Sequence, residues 1–85
     1  MPELCIFLGI VIFMNFQEHN PPHFHAKYGS YEIIVEIKTG IVEGKFPKRA
    51  LSLVMEWYEI HKDELLQDWE LIKTTGEFNK IQPLE

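Results

Sequence analysis

The residues best equipped for chemistry lie in one seven-residue window, His19-Asn20-Pro21-Pro22-His23-Phe24-His25, which holds three of the chain's four histidines and two of its five prolines. Adjacent prolines remove two backbone donors and restrict φ, so the approach to His23 is stiff and extended. Residues two apart in a strand share a face, so Phe24 separates two imidazoles that converge on one side. Such a pair suits two kinds of chemistry. As metal ligands, His23 and His25 need a further donor, which either Glu36 across the ladder or His19, folded back by the Asn-Pro-Pro turn, is placed to supply. Three protein ligands plus water is the usual catalytic zinc arrangement, and the same donors suit iron, nickel or manganese. Without a metal, His23, His25 and Lys27 on one face would serve as general base, general acid and oxyanion stabiliser in phosphodiester cleavage. A third reading is structural: polar strand faces carry His, Lys and Glu because they meet water, and Pro-Pro blunts a sheet edge. A His23–Glu36 pair is then a surface ion pair worth under about 1 kcal/mol.

Any of these readings needs a strand to hold the histidines, and the pattern supplies one. From Pro22 to Tyr28 the chain alternates, with His23, His25 and Lys27 on one face and Phe24, Ala26 and Tyr28 on the other. Gly29-Ser30, glycine first, is the signature of a type II′ hairpin. Tyr31 to Ile37 alternates in turn, and a two-residue connection sets the register. His23 then faces Glu36, Phe24 faces Val35, His25 faces Ile34, Ala26 faces Ile33, Lys27 faces Glu32 and Tyr28 faces Tyr31. Charges pair favourably on one face and apolar residues, Ile34 excepted, collect on the other.

Upstream, Leu4 to Phe16 is rich in Ile, Val and Phe and interrupted by Gly9. This predicts either two short strands, Leu4–Leu8 and Ile10–Phe16, or one bulged strand. Downstream, Lys38-Thr39-Gly40 reads as a turn, and Ile41 to Lys45 as a short edge strand weakened by Gly44. Pro47 then stands as the first residue of a helix. Ala50, Val54, Trp57, Tyr58, His61, Leu65, Trp69 and Ile72 recur at helical spacing. One straight helix from Pro47 to Thr74 would run about 42 Å, so a break at His61-Lys62-Asp63 is expected, with Asp63 as N-cap of a second helix. Gly76 closes the helical region, and a tail follows. The layout is α+β: an antiparallel meander of three to five strands (about 4–45) packed against a C-terminal helix or helical hairpin (about 47–75), with a tail at 77–85, all in one domain.

With 46% hydrophobic and 13% aromatic residues, the 85-residue chain has enough apolar material for one packed core. Its net charge of −5 argues against non-specific nucleic-acid binding by the isolated chain. Cys5 is the only cysteine, which rules out an intrachain disulfide and a cysteine zinc cluster. The apolar run Leu4–Met14 lacks the basic flank and cleavage site of a secretion signal and is too short for a transmembrane helix, so the expected location is the cytoplasm. His61 reads as a core or helix-end histidine, and Trp57, Tyr58 and Trp69 as core anchors. Lys45, Lys48 and Arg49 form a small basic rim near the helix start.

The string HNPPHFHAKYG from His19 to Gly29 resembles that of a small bacterial family known as domain of unknown function 4160. The likeness extends to Gly9-Ile10-Val11-Ile12, to Pro47-Lys48-Arg49-Ala50-Leu51, to Glu56-Trp57 and to Pro83-Leu84-Glu85. Phe13 departs from it, since relatives often carry a polar residue there, and the turn Gly40–Gly44 is compact. The resemblance implies a prokaryotic cytosolic protein, often encoded beside a second small protein in a toxin–antitoxin-like pattern, and brings no established reaction. Two functions are therefore expected. One is a partner-binding module of such a two-gene or regulatory system, bound to itself or to the neighbouring gene product. The other is a histidine-based, metal-dependent or metal-free hydrolase or nuclease.

Overall fold

The computed structural model describes residues 2–84; Met1 and Glu85, the last residue of the Pro-Leu-Glu string, lie outside the described residues. Five strands, β1 (Glu3–Phe7), β2 (Ile10–Phe13), β3 (His23–Tyr28), β4 (Tyr31–Glu36) and β5 (Val42–Lys45), precede one helix, α1 (Lys48–Thr74). The strands pair antiparallel in chain order, a simple meander. The fold is α+β, with one helix rather than a helical hairpin.

β3 and β4 pair in the register that the alternation dictates, from His23↔Glu36 to Tyr28↔Tyr31. Only the first turn residue, Gly29, has positive φ (60°), as a type II′ turn requires. The buried face of the hairpin, Phe24, Ala26, Ile33 and Val35, is 0–1% exposed and packs with Ala50, Val54, Trp57, Tyr58, Leu65 and Trp69 of α1. Tyr28 and Tyr31 share that face but sit at its far end, where they are 38% and 47% exposed.

Gly9 marks a turn rather than a bulge. Leu8 and Gly9 both take positive φ, the pattern of a type I′ hairpin, and join β1 to β2. The bulge lies elsewhere, between Glu3 and Cys5. β2 ends at Phe13, three residues short of the expected Phe16, because Asn15 turns its side chain onto Glu18 and the chain loops back to β3. In β5, Gly44 has φ 107°, and a Cβ there would lie 2.6 Å from the Glu32 carbonyl oxygen; only glycine lets this edge strand approach β4.

Pro47 sits one residue before α1, and its carbonyl accepts from Leu51 N–H at 2.9 Å. The expected break falls at His61, whose φ and ψ (−112°, 21°) bend the helix, while Asp63 lies inside the continuing helix rather than capping a new one. A straight helix of 27 residues would span about 40 Å, more than the 34 Å longest extent of the fold. After Gly76 the tail runs along the outer edge of β1, with Ile81 N–H donating to Leu4 O at 2.9 Å. Trp57 Nε1–H donates to Gln82 O at 2.8 Å and Asn79 N–H to the buried Asp68 Oδ1 at 2.8 Å, fastening helix, tail and sheet together. No helix among the described residues is long and apolar enough to cross a membrane.

Candidate metal centre

On the sheet face away from the core, Phe13 of β2, His25 of β3 and Ile34 of β4 form one row. The loop between β2 and β3 folds over this row and buries its middle. His25 is only 6% exposed, stacked on Phe13 with ring centroids 4.9 Å apart and planes 10° from parallel. His23, two residues earlier, meets His25 edge-on at 5.4 Å and lies against Trp69 of α1 at 5.1 Å. Lys73 holds the loop from the other side by donating to the Glu18 carbonyl oxygen.

These contacts bring one atom each from Glu18, His23 and His25 within 4.8 Å of one another. Glu18 Oε1 is 2.5 Å from His25 Nε2 and 3.5 Å from His23 Nε2. The other nitrogen of each ring is already engaged. His23 Nδ1 lies 2.8 Å from Pro21 O, a carbonyl that can only accept, so Nδ1 donates and Nε2 is left with its lone pair in the neutral ring. His25 Nδ1 lies 3.2 Å from Glu32 Oε2. A ring with a carboxylate at each nitrogen has two ways to satisfy both: a proton on each, or donation from Nδ1 and a cation shared with Glu18 at Nε2. Asn15 Nδ2 donates to Glu18 Oε1 at 2.9 Å. That bond, above all, holds the Glu18 carboxyl down to about 2; burial opposes it, and the hydrogen bond and charge of His25 and the charge of His23 assist. Glu18 is therefore ionised at any ordinary pH, ready as an anionic ligand.

The set of two imidazoles and one carboxylate, with each Nδ1 oriented by a backbone carbonyl or a second carboxylate, has the donor chemistry of a catalytic zinc or non-haem iron centre. A cleft of about 300 Å³ opens beside it, bounded by Glu18 and His23. Its remaining wall comes from His19, Asn20 and Pro21 of the loop and from Ile34, Glu36, Ile41 and Glu43 across the sheet.

The structure thus unites His23 and His25 with Glu18. His19 and Glu36 line the adjoining cleft instead, and Glu36 Oε1 accepts from the Thr39 hydroxyl at 3.3 Å. Lys27 is exposed on the same sheet face, opposite Glu32. Glu18 and Asn15 are additions to the expected residues, and Glu32, expected only opposite Lys27, also reaches His25 Nδ1. The available signal was Asn15-x-x-Glu18, a polar pair three apart immediately before the histidine string, whose side chains close a turn.

A small α+β domain with a histidine–carboxylate cluster on the outer face of its meander is thus the class that the fold and site define. The chain belongs to the family of the domain of unknown function DUF4160, whose sequence profile matches residues 9–70, from the β1–β2 turn to the second half of α1. No curated protein and no solved structure matches it significantly.

Proposed function

We propose that the chain is a metal-dependent hydrolytic domain that holds one divalent ion with Glu18, His23 and His25 and presents it to the adjoining cleft. The observation that carries this reading is the convergence of two imidazole Nε2 atoms on Glu18 Oε1 while both Nδ1 atoms are engaged elsewhere. The ion would polarise a substrate carbonyl or a bound water. Asn15 and Glu32 hold the ligands in place, and Phe13 and Trp69 keep the rings from turning. The test is elemental analysis of the chain purified without a histidine tag or chelator, beside His23→Ala/His25→Ala. Near-stoichiometric zinc, iron, nickel or manganese in the native chain, lost in the variant, is the expected result; equal, trace metal in both would overturn it.

A second reading, a partner-binding module of a prokaryotic, cytosolic two-gene system, is favoured by a different surface. Leu8 and Tyr28, 66% and 38% exposed, line a groove with Pro47, Arg49 and Leu53, and the exposed Tyr31 stands opposite Tyr28. Exposed apolar groups gathered in one place favour contact with another chain. Trp57 and Trp69 are spent on the protein's own core, so the partner would meet this groove rather than those side chains. Co-purification with the neighbouring gene product, lost on Leu8→Glu, is expected; a chain that stays monomeric in its presence contradicts the reading.

A further inference from the structure

The charge around the cleft narrows what the proposed centre can act on. Among the described residues, three carboxylates, Glu18, Glu36 and Glu43, contribute to its wall, and no lysine or arginine does. A divalent ion taken up between Glu18, His23 and His25 would use Glu18 as ligand and keep one net positive charge, against the two negative charges of Glu36 and Glu43 on the cleft wall. They project from neighbouring strands: Glu43 is opposite Ile34, and Glu36 lies two residues beyond Ile34 on the same side of β4. Between them lie two aliphatic side chains, the half-buried Ile34 and Ile41, which is 54% exposed. Beyond a bound ion, phosphoryl transfer draws on lysine or arginine clamped on the transferring oxygens, and this wall offers neither. An anion entering here would pass two carboxylates. A cation with a short aliphatic stem would meet carboxylates at its head and isoleucines along its length.

We propose that the cleft takes an alkylammonium or alkylguanidinium group, with Glu36 and Glu43 receiving the charged head and Ile34 and Ile41 lining the stem. The inference rests on the metal-centre reading for what happens to the ligand, but its binding half stands on the cleft alone. The shared chemistry has two sources, a free small amine or the lysine or arginine side chain of another protein.

The test is NMR titration of the isotopically labelled full chain, followed at the Ile34 and Ile41 methyl groups. The probes are n-butylamine, the capped tripeptide acetyl-Gly-Lys-Gly-amide and inorganic phosphate. Butylamine or the tripeptide should shift both methyls saturably, and phosphate should leave them unmoved. Glu36→Gln/Glu43→Gln should weaken that binding at least tenfold with the rest of the spectrum unchanged. Glu70→Gln, at an exposed helix position, serves as the control and should bind as the native chain does. Tighter binding of butylamine assigns the ligand to small amines, and tighter binding of the tripeptide to a protein side chain. Amine binding that survives the double substitution, or saturable shifts with phosphate at the same methyls, would overturn the proposal. Metal content measured on the same samples separates the two readings. Glutamate-dependent amine binding by a metal-free chain would leave the cleft assignment standing and remove the metal centre; a loaded centre indifferent to both amines would do the reverse.

Discussion

Among the described residues, two histidines lie 2.5 Å from a glutamate oxygen, and only one of them is part of a cluster of three possible ligands. His61 contacts Glu64 three residues on along α1; that carboxylate is 51% exposed, and the ring rests on Trp57 at the bend of the helix. His25 contacts Glu18 from a loop seven residues away, with its ring sandwiched into the sheet face, its second nitrogen on Glu32 and a second imidazole beside it. The first pair is local, and its carboxylate faces water, as helix surfaces produce routinely. The second is assembled by three separate elements and opens beside a cleft. What sets the second pair apart is therefore not the proximity of acid and imidazole but convergence from different parts of the chain, with the outer nitrogens already engaged.

The comparison can be broken at several points. The helix region's stability should lie in Trp57, not in His61. Trp57 is fully buried against Phe7 and Phe24, and Trp57→Ala is expected to cost about 3–5 kcal/mol in chemical denaturation. His25→Ala removes a buried ring from Phe13 and leaves Glu18 and Glu32 without their shared partner, a loss of about 2–3 kcal/mol by the same measurement. His61→Ala, by contrast, should cost about 1 kcal/mol or less, since Glu64 returns to water. A loss at His61 equal to that at His25 would erase the distinction.

Acid titration sharpens the same contrast. The Glu18 carboxyl is held at about 2 in the fold against an ordinary value of 4.5. Between those two values the unfolded chain binds the extra proton, so stability rises with pH there. The contribution is complete above about pH 4.5 and is lost as the pH falls through about 2. Glu18→Gln should flatten that part of the acid denaturation curve, while Glu64→Gln should leave it in place.

Much of this was legible in the chain. The β3–β4 register followed from a two-residue glycine turn and two alternating strands, because a slip of one would have put Phe24 and Val35 in water. The bend near His61 followed from a helical pattern too long for the fold. The third member of the cluster did not follow. Glu36 is opposite His23 in the ladder, yet its carboxylate stands in the cleft wall near Thr39, while Glu18 reaches both rings from a loop. Ladder geometry is periodic and readable; a loop's path is set by contacts such as Lys73 on the Glu18 carbonyl, 55 residues apart in sequence, and no local pattern announces those. Tyr28 and Tyr31 show the same limit, since alternation told which face they take but not where the helix above that face would end.

On the proposed reading, Glu18, His23 and His25 form one metal centre and His61 with Glu64 does not. Calorimetric titration of the chelator-stripped, untagged chain with zinc at neutral pH tests it most directly. One ion per chain is expected, with affinity reduced more than about tenfold by Glu18→Gln and by His23→Ala and unchanged by His61→Ala. No saturable binding, or binding weakened as much by His61→Ala as by Glu18→Gln, would contradict the account.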